Sequence, residues 1–158
     1  MTAVTVRQAE FQDAAIVLEM ERSLARFLKH EEGFKATLAD VERDGFGDAP
    51  RYEAWLAEAG GKPAGLLTLF ATYSTFKAKP CLFIDSLYVE ESARGLGIGA
   101  ILMRKACQLA VERDCIRVDL NVLDWNPARQ FYGSLGIQEN GEVCMSVSGE
   151  TLRRLAEG

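Results

Sequence analysis

Arg94-Gly-Leu-Gly-Ile-Gly99 is the stretch that decides the fold of this chain. It follows an apolar run over residues 82–89 that is typical of a strand, and it precedes a run over residues 100–113 that is typical of a helix. Glycines carry no Cβ, so main-chain N–H groups can approach a bulky anion, and the helix N-terminus behind them adds unpaired donors and partial positive charge. Arg94 brings a formal charge to the same place. The stretch therefore predicts a strand–loop–helix unit that binds a pyrophosphate.

Two pyrophosphate ligands fit this loop. Gly95, Gly97 and Ala100 match the dinucleotide pattern G-x-G-x-x-A, with Asp119 about 20 residues further on as the ribose acid. The loop lies past the middle of the chain, however, which leaves too few residues for the several βα units of a doubly wound domain. The same loop matches the coenzyme A pattern R/Q-x-x-G-x-G/A at every position. A turn without any ligand is the third interpretation, which the strand–loop–helix context disfavours.

Length and composition predict one domain over residues 1–158. The chain is long enough for one core and too short for two, and its 48% hydrophobic and 26% charged residues are typical of a globular protein. No apolar run approaches the roughly 20 residues of a membrane span. The N-terminal residues lack the basic and apolar segments of a signal peptide. We therefore expect a cytoplasmic protein that does not bind membranes.

The net charge and the histidine and cysteine content disfavour several classes of function. The net charge of −5 disfavours a nucleic-acid partner, which needs a basic face, and weakly favours a cationic substrate. His30 is the only histidine, and the four cysteines form no C-x-x-C pair. A metal site is therefore not expected, and a Ser-His or Cys-His dyad would require His30 itself.

The order of the predicted elements is β-α-α-β-β-β-α-β-α-β-α. Period-two patterns and turn signals predict strands at residues 4–9, 52–59, 65–73, 82–89, 116–122 and 142–148. Helical spacing and caps predict helices at 13–28, from Thr37, at 100–113, 126–135 and 150–156, and a loop at 44–50. This order predicts an α/β (α+β) fold, in which helices flank a mixed, mostly antiparallel central sheet of about six to seven strands.

Three residue patterns, together with this order, carry a family resemblance. Leu87-Tyr-Val89 leads into the glycine loop, and Asn126-x-Ala-x-x-Phe-Tyr132-x-x-x-Gly136 follows it. The chain thereby resembles the GCN5-related N-acetyltransferase (GNAT) superfamily. Asp44-Gly-Phe-Gly-x-x-Pro-x-Tyr52, with Leu24-Ala-Arg-Phe27 upstream, is similar to the spermidine/spermine (diamine) acetyltransferase branch and its thialysine-acetylating relatives.

The resemblance implies a GNAT-like acyl-CoA N-acyltransferase fold, acetyl-CoA as cosubstrate without a metal, a small-molecule amine as acceptor, and a homodimer. It also implies which residues contact the coenzyme. These are Leu87, Tyr88, Val89, Arg94, Gly95, Leu96, Gly97, Ile98, Gly99, Ala100, Asn126, Pro127, Ala128, Arg129 and Tyr132.

The chemistry of acetyl transfer to an amine assigns two catalytic residues. An aliphatic amine has a pKa near about 10 and arrives protonated, so the site needs a base. We predict Asp85, which interrupts the apolar run on the face of Leu87 and Val89, where the related enzymes place a glutamate. A main-chain N–H near these two residues would stabilise the oxyanion. Tyr132, by its position in the second motif, would protonate the leaving thiolate.

The acceptor stays open at this point. The diamine enzymes carry acids where this chain has Leu28 and Ser86, and their tryptophan near Gly141 is missing. A polyamine or diamine, a thialysine-like amino acid, and a protein or peptide amine are all compatible with the pattern. A dinucleotide-binding oxidoreductase and a non-catalytic coenzyme A-binding protein are the remaining alternatives.

Overall fold

The computed structural model describes residues 3–157. They divide after Asn126 into two compact units, here called the first unit (up to Asn126) and the second unit (from Pro127). The first unit contains the sheet and the glycine loop. Each unit is described separately.

The first unit is built on a five-stranded sheet whose spatial order follows the chain. Its strands are β1 (Val4–Gln8), β2 (Glu53–Ala59), β3 (Lys62–Ser74), β4 (Lys79–Val89) and β5 (Val118–Leu120). The first four strands are antiparallel to their neighbours, and only β5 runs parallel to its neighbour β4. The mixed, mostly antiparallel sheet is thus confirmed. The predicted count of six to seven strands is wrong, because the described residues form five.

Helices cover both faces of this sheet. The helices of the first unit are α1 (Ala14–Phe27), α2 (Leu38–Phe46) and α3 (Ile98–Glu112), and short 3₁₀ helices lie at Phe11–Asp13, Glu31–Gly33 and Glu91–Ala93. Buried residues of α1 share a core with Leu66 of β3. A Cβ at Gly65, the preceding residue, would lie only 2.8 Å from Ile98 Cγ2 of α3. Since consecutive side chains of a strand point to opposite faces, α1 and α3 lie on opposite sides of the sheet.

Helix α2 confirms one local prediction and corrects another. Thr37 caps the helix as expected, because its Oγ1 accepts from Asp40 N while Asp40 Oδ2 accepts from Thr37 N at 2.9 Å. The loop predicted over 44–50 is partly wrong, since α2 continues to Phe46. Gly45 serves close packing there rather than a turn, because a Cβ would lie 2.9 Å from the Tyr52 hydroxyl oxygen.

A charged network ties the start of α1 to the sheet. Arg7 of β1 makes a bidentate contact with Asp13, with N–O distances of 2.6 and 2.9 Å, and its Nε donates to Glu58 Oε1 at 2.8 Å. Asp13 is buried, with 4% of its surface exposed. Arg7 holds the pKa of the Asp13 carboxyl below its usual value through these hydrogen bonds.

The second unit contains α4 (Ala128–Ser134) and α5 (Gly149–Glu157). Gly136 follows α4 with a φ of 82°, and Ile137 N donates to Tyr132 O, so the predicted glycine stop is confirmed. The strand predicted over 142–148 is wrong: this segment has no regular secondary structure, and Met145 is 89% exposed. Among the described residues, no strand pairs with this segment, and a ladder needs a neighbouring strand. Along residues 3–157, no helix has the length and apolar character needed to cross a membrane.

Candidate active site

Asp85 lies at a β-bulge. Thr68 of β3 is opposite Ser86, and the next residue of β3 is opposite Ile84, so Asp85 is the extra residue of β4. Its side chain is exposed, whereas those of Ile84 and Ser86 are buried. A bulge bends its strand and redirects a side chain, and bulges are over-represented beside active sites. Asp85 therefore presents a carboxylate at a distortion of an otherwise apolar strand.

Among the described residues, no strand pairs with the outer edge of β4 directly after this bulge, and this part of β4 is here called the uncovered edge. The parallel pairing with β5 covers only Leu82–Ile84 of β4, and β4 then continues to Val89. The chain therefore opens a gap in the sheet on the carboxyl side of Asp85.

The main chain at this edge offers hydrogen-bond donors. The amides of Ser86 and Glu90 both point to β3, where Ser86 N donates to Thr68 Oγ1 at 3.1 Å and Glu90 N donates to a carbonyl at 2.9 Å. Because these groups alternate along a strand, the N–H groups of Leu87 and Val89 point to the opposite edge, beyond the end of β5. The Tyr88 side chain lies in the core on the α1 side of the sheet.

The glycine loop forms an anion cradle at the start of α3. Gly95 and Gly97 have φ values of 84° and 75°, which favour glycine, and Gly97 is the N-cap of the helix. Within the described part of the chain, no side chain caps this N-terminus and its first turn holds no acidic residue. The N–H groups of residues 98–100 precede the first helical hydrogen bond, from Ile101 N to Gly97 O.

The space in front of this cradle suits a diphosphate. A Cβ at Gly95 or Gly97 would meet no described atom within 4 Å, so the backbone faces open space. The Ile98 side chain is buried, so Ile98 can offer only its main-chain N–H to a ligand at this place. The Leu96 side chain is half-exposed. The Arg94 guanidinium lies over the Phe27 ring at 5.1 Å. Main-chain donors, a helix N-terminus and one guanidinium are the groups that a diphosphate requires.

A cavity of about 330 Å³ adjoins Asp85. Its walls come from α1, the turn after α1 and β4: they are Glu21, Leu24, Ala25, Leu28, His30, Gly33, Phe34, Asp85 and Ser86. A smaller depression of about 220 Å³, lined by Arg22, Glu31, Phe34, Lys35 and Ala36, includes no residue of β4. Of these two, the larger cavity is therefore the one that includes residues of β4, at the bulge. Among residues 3–157, no group of three or more His, Cys, Asp or Glu side chains is arranged to hold a metal.

Glu21 is a site residue that the sequence reasoning missed. Its Oε2 accepts from Ser86 Oγ at 2.8 Å, and its Oε1 accepts from Thr68 Oγ1 at 3.4 Å. Burial raises the pKa of Glu21, and the nearby charge of Asp85 raises it further. The sequence does contain a signal for Glu21. This residue lies one helical turn after the buried Val17 and so interrupts the apolar face of α1 with a carboxyl group.

The remaining coenzyme-binding candidates lie at the boundary and in the second unit. Asn126 ends the first unit and donates its N–H to Leu123 O at 2.9 Å. Pro127 is the N-cap of α4, Ala128 begins that helix, and Arg129 pairs with Glu139. The last candidate is Tyr132, whose ring lies 5.1 Å from that of Phe131. Burial raises the pKa of the Tyr132 phenol, which therefore stays protonated at neutral pH.

Known proteins resemble this chain along most of its length. A family model described as the acetyltransferase (GNAT) family matches residues 17–137. Thialysine N-epsilon-acetyltransferase of Bos taurus is 32% identical over 99% of both chains. Spermidine/spermine N(1)-acetyltransferase-like protein 1 of Homo sapiens is 33% identical over 83% of this chain and 20% of its own length.

A solved structure extends the comparison to the fold. An integron cassette protein from the mobile metagenome of V. cholerae superposes with a TM-score of 0.82 at 23% identity, covering 98% of both chains. The two curated relatives confirm the resemblance to the diamine acetyltransferase branch. A dinucleotide site of the doubly wound type would need a parallel sheet, which the antiparallel order of β1 to β4 excludes. The chain therefore belongs to the acetyltransferase (GNAT) family, and the protein is an acetyltransferase.

Proposed function

We propose that this enzyme transfers the acetyl group of acetyl-CoA to a primary amine of a small molecule, either a polyamine or diamine or a thialysine-like amino acid. The observation that carries the proposal is the position of Asp85. This carboxylate lines the cavity and lies at the bulge where the uncovered edge of β4 begins. A base at that place can accept a proton from an amine held in the cavity while the amine faces the strand edge.

The coenzyme would lie along the open edge of β4 and the glycine loop. The N–H groups at residues 95–100 and the Arg94 guanidinium would hold the diphosphate, and Leu87 to Val89 would flank the pantetheine arm. Residues 126–129 are proposed to flank its far side, as the family resemblance implies. Bound acetyl-CoA would supply the thioester carbonyl that the amine attacks.

Three groups of the chain would then act on the reacting atoms. Asp85 would accept the ammonium proton, directly or through a water molecule. The N–H of Leu87 or Val89, directed away from β3, would donate to the developing oxyanion. The Tyr132 phenol, protonated at neutral pH, would protonate the departing thiolate. No covalent enzyme intermediate is needed.

The cavity and the relatives favour a small amine. The open cavity of about 330 Å³ has room for a small amine, and the net charge of −5 weakly favours a cationic acceptor. The named relatives are a thialysine N-epsilon-acetyltransferase and a spermidine/spermine N(1)-acetyltransferase-like protein. A protein or peptide amine is the competing acceptor, and the assay below includes it.

The remaining parts of the proposal concern the whole chain. We propose that residues 1–158 form one N-acetyltransferase domain, because the family match over 17–137 crosses from the first unit into the second. A homodimer is proposed from the family resemblance, and the cytoplasm is proposed as its location.

A thiol-release assay tests the function. The purified protein is incubated with acetyl-CoA and, separately, with spermidine, 1,3-diaminopropane, thialysine, lysine, or a peptide with a free N-terminus. Release of coenzyme A that requires a small amine, with the acetylated amine identified by mass spectrometry, is the expected result. Release that requires the peptide, or that never exceeds the amine-free background, would contradict the proposal. Calorimetric titrations with acetyl-CoA and with NAD(P)H test the alternative of a dinucleotide-binding oxidoreductase. We expect only acetyl-CoA to bind.

A further inference from the structure

We infer that Glu21 is the second carboxylate of the acceptor site, and that it selects acceptors carrying two cationic amino groups over those carrying one. This inference rests on the proposed function and names the substrate class. One amino group would face Asp85 and the strand edge, and the other would remain charged against Glu21.

The position of Glu21 on α1 is the first support. Val17 and Met20 of the same helix are buried in the core, and Glu21 projects between them and Leu24 toward β4 instead of into solvent. Among the described residues, no Lys, Arg or His forms an ion pair with Glu21, and its side-chain hydrogen bonds come from two hydroxyl groups. A carboxylate withdrawn from water without a cation is costly, so its presence calls for a ligand of opposite charge.

The orientation of the carboxylate is the second support. Ser86 and Thr68 are 5% and 2% exposed, and both donate their hydroxyl protons to Glu21. Thr68 is fixed in turn because its Oγ1 accepts from Ser86 N. The two oxygens of Glu21 are thus held in place, and each keeps a lone pair with which it can accept from an ammonium group. The arrangement is pre-organised for a cation.

The pairing with Asp85 is the third support. Glu21 and Asp85 line the same cavity, and Ser86, which holds Glu21, is the residue directly after Asp85. Burial and the charge of Asp85 both raise the pKa of Glu21, so two negative charges in one cavity repel each other. A doubly cationic ligand relieves that repulsion at both positions, whereas a monoamine relieves it at one. Among the remaining walls, Leu24, Leu28 and Phe34 are apolar and suit a methylene chain, and His30 also lines the cavity.

Steady-state kinetics on matched amines test this role. Wild type, Glu21→Gln and the control Glu19→Gln are assayed with 1,3-diaminopropane and with propylamine, which differ by one amino group. Glu19 lies on the same helix, but its side chain is 58% exposed and pairs with Arg22. We expect Glu21→Gln to raise KM for the diamine about 10- to 100-fold, to change KM for the monoamine less than about twofold, and to leave kcat nearly unchanged. Glu19→Gln should behave as wild type.

A second variant tests the role of Glu21 if Glu21→Gln does not fold. Ser86→Ala keeps the carboxylate and removes one of its hydroxyl donors, so the diamine preference should fall by a smaller factor, about two- to tenfold. A wild type that does not prefer the diamine, or variants that change KM for both amines equally, would overturn the inference while leaving the proposed function intact. If wild type acetylates neither amine, the thiol-release assay with spermidine, thialysine and lysine decides whether the proposed function fails, and calorimetric binding of the two amines to wild type and the variants decides the role of Glu21 separately.

Discussion

Asp85 and Glu21 show how neighbours give two carboxyl groups different environments. Asp85 is exposed at a bulge, whereas Glu21 is withdrawn from solvent and held by hydroxyl groups. The sequence predicted Asp85 because it interrupts an apolar strand. The bulge itself was not predictable, since it depends on the pairing of Thr68 with Ser86 across the sheet. The contacts of Glu21 join residues far apart in the chain, so that only its position on an apolar helix face signalled it.

Asp85→Asn tests the proposed base. The amide cannot accept the ammonium proton, so the amine must lose it to solvent before attack. We expect the rate at neutral pH to fall about 100-fold and the pH optimum to move upward, toward the amine's own pKa near about 10. The measurement is kcat/KM against pH, with the exposed Asp48→Asn as control. Identical pH profiles for Asp85→Asn and wild type would remove Asp85 from the mechanism.

Tyr132→Phe tests the proposed acid. The substitution keeps the ring and removes only the hydroxyl group that protonates the leaving thiolate, so kcat should fall about 100-fold while the calorimetric Kd for acetyl-CoA stays within about twofold. Tyr73→Phe, at a position that is 62% exposed, is the matched control. Unchanged turnover in Tyr132→Phe would assign the tyrosine a packing role beside Phe131.

At the scale of elements, the strand–loop–helix unit was predicted best and the irregular segments least. The unit carries its own local signals: an apolar strand, glycines where φ is positive, and a helix that begins directly behind them. The segment over 142–148 has the alternation of a strand, but alternation alone does not supply a pairing partner. The loop predicted over 44–50 was wrong only for residues 44–46, because Gly45 indicated a turn but lies in α2 against Tyr52.

Substitutions at two glycines with the same backbone conformation distinguish an effect on coenzyme binding from an effect of backbone strain. Gly97 at the start of α3 and Gly61 in the β2–β3 turn both have a φ of 75°, and a Cβ at either would meet no described atom within 4 Å. Alanine at each position should therefore cost about 1–2 kcal/mol of stability, measured by urea unfolding. Only Gly97→Ala should also weaken acetyl-CoA binding, because its methyl group projects into the space proposed for the diphosphate, and Gly97→Val should abolish binding. Equal coenzyme affinities in Gly97→Ala and Gly61→Ala would contradict the cradle.

At the scale of the whole molecule, the charged network that stabilises the fold and the cavity beside Asp85 consist of different residues. The network of Arg7, Asp13 and Glu58 joins β1, the start of α1 and β2, and none of these three residues lines the cavity. The fold class was predictable because the order of elements constrains how a sheet and its helices can pack. The strand count was not, since the last apolar segment carries no information about its partner.

Asp13→Asn tests the stabilising role of this network through the pH dependence of the unfolding free energy. Arg7 lowers the pKa of Asp13 below its ordinary value of 3.8, so the contact stabilises the fold above that value and is lost as pH falls through the native pKa. We expect the variant to lose about 1.5–3 kcal/mol of unfolding free energy at neutral pH, with a difference from wild type that shrinks below about pH 4. Urea unfolding from neutral to acidic pH measures it, with the exposed Glu32→Gln as control. A difference that stays constant with pH would show that the charge of Asp13 is not responsible.

A crystal structure of the protein with coenzyme A tests the central claim most directly. We expect diphosphate oxygens within about 2.7–3.2 Å of the main-chain nitrogens of residues 95–100, and a thiol that ends beside Leu87 and Val89 next to Asp85. A diphosphate bound elsewhere, with the glycine loop free of the ligand, would contradict it.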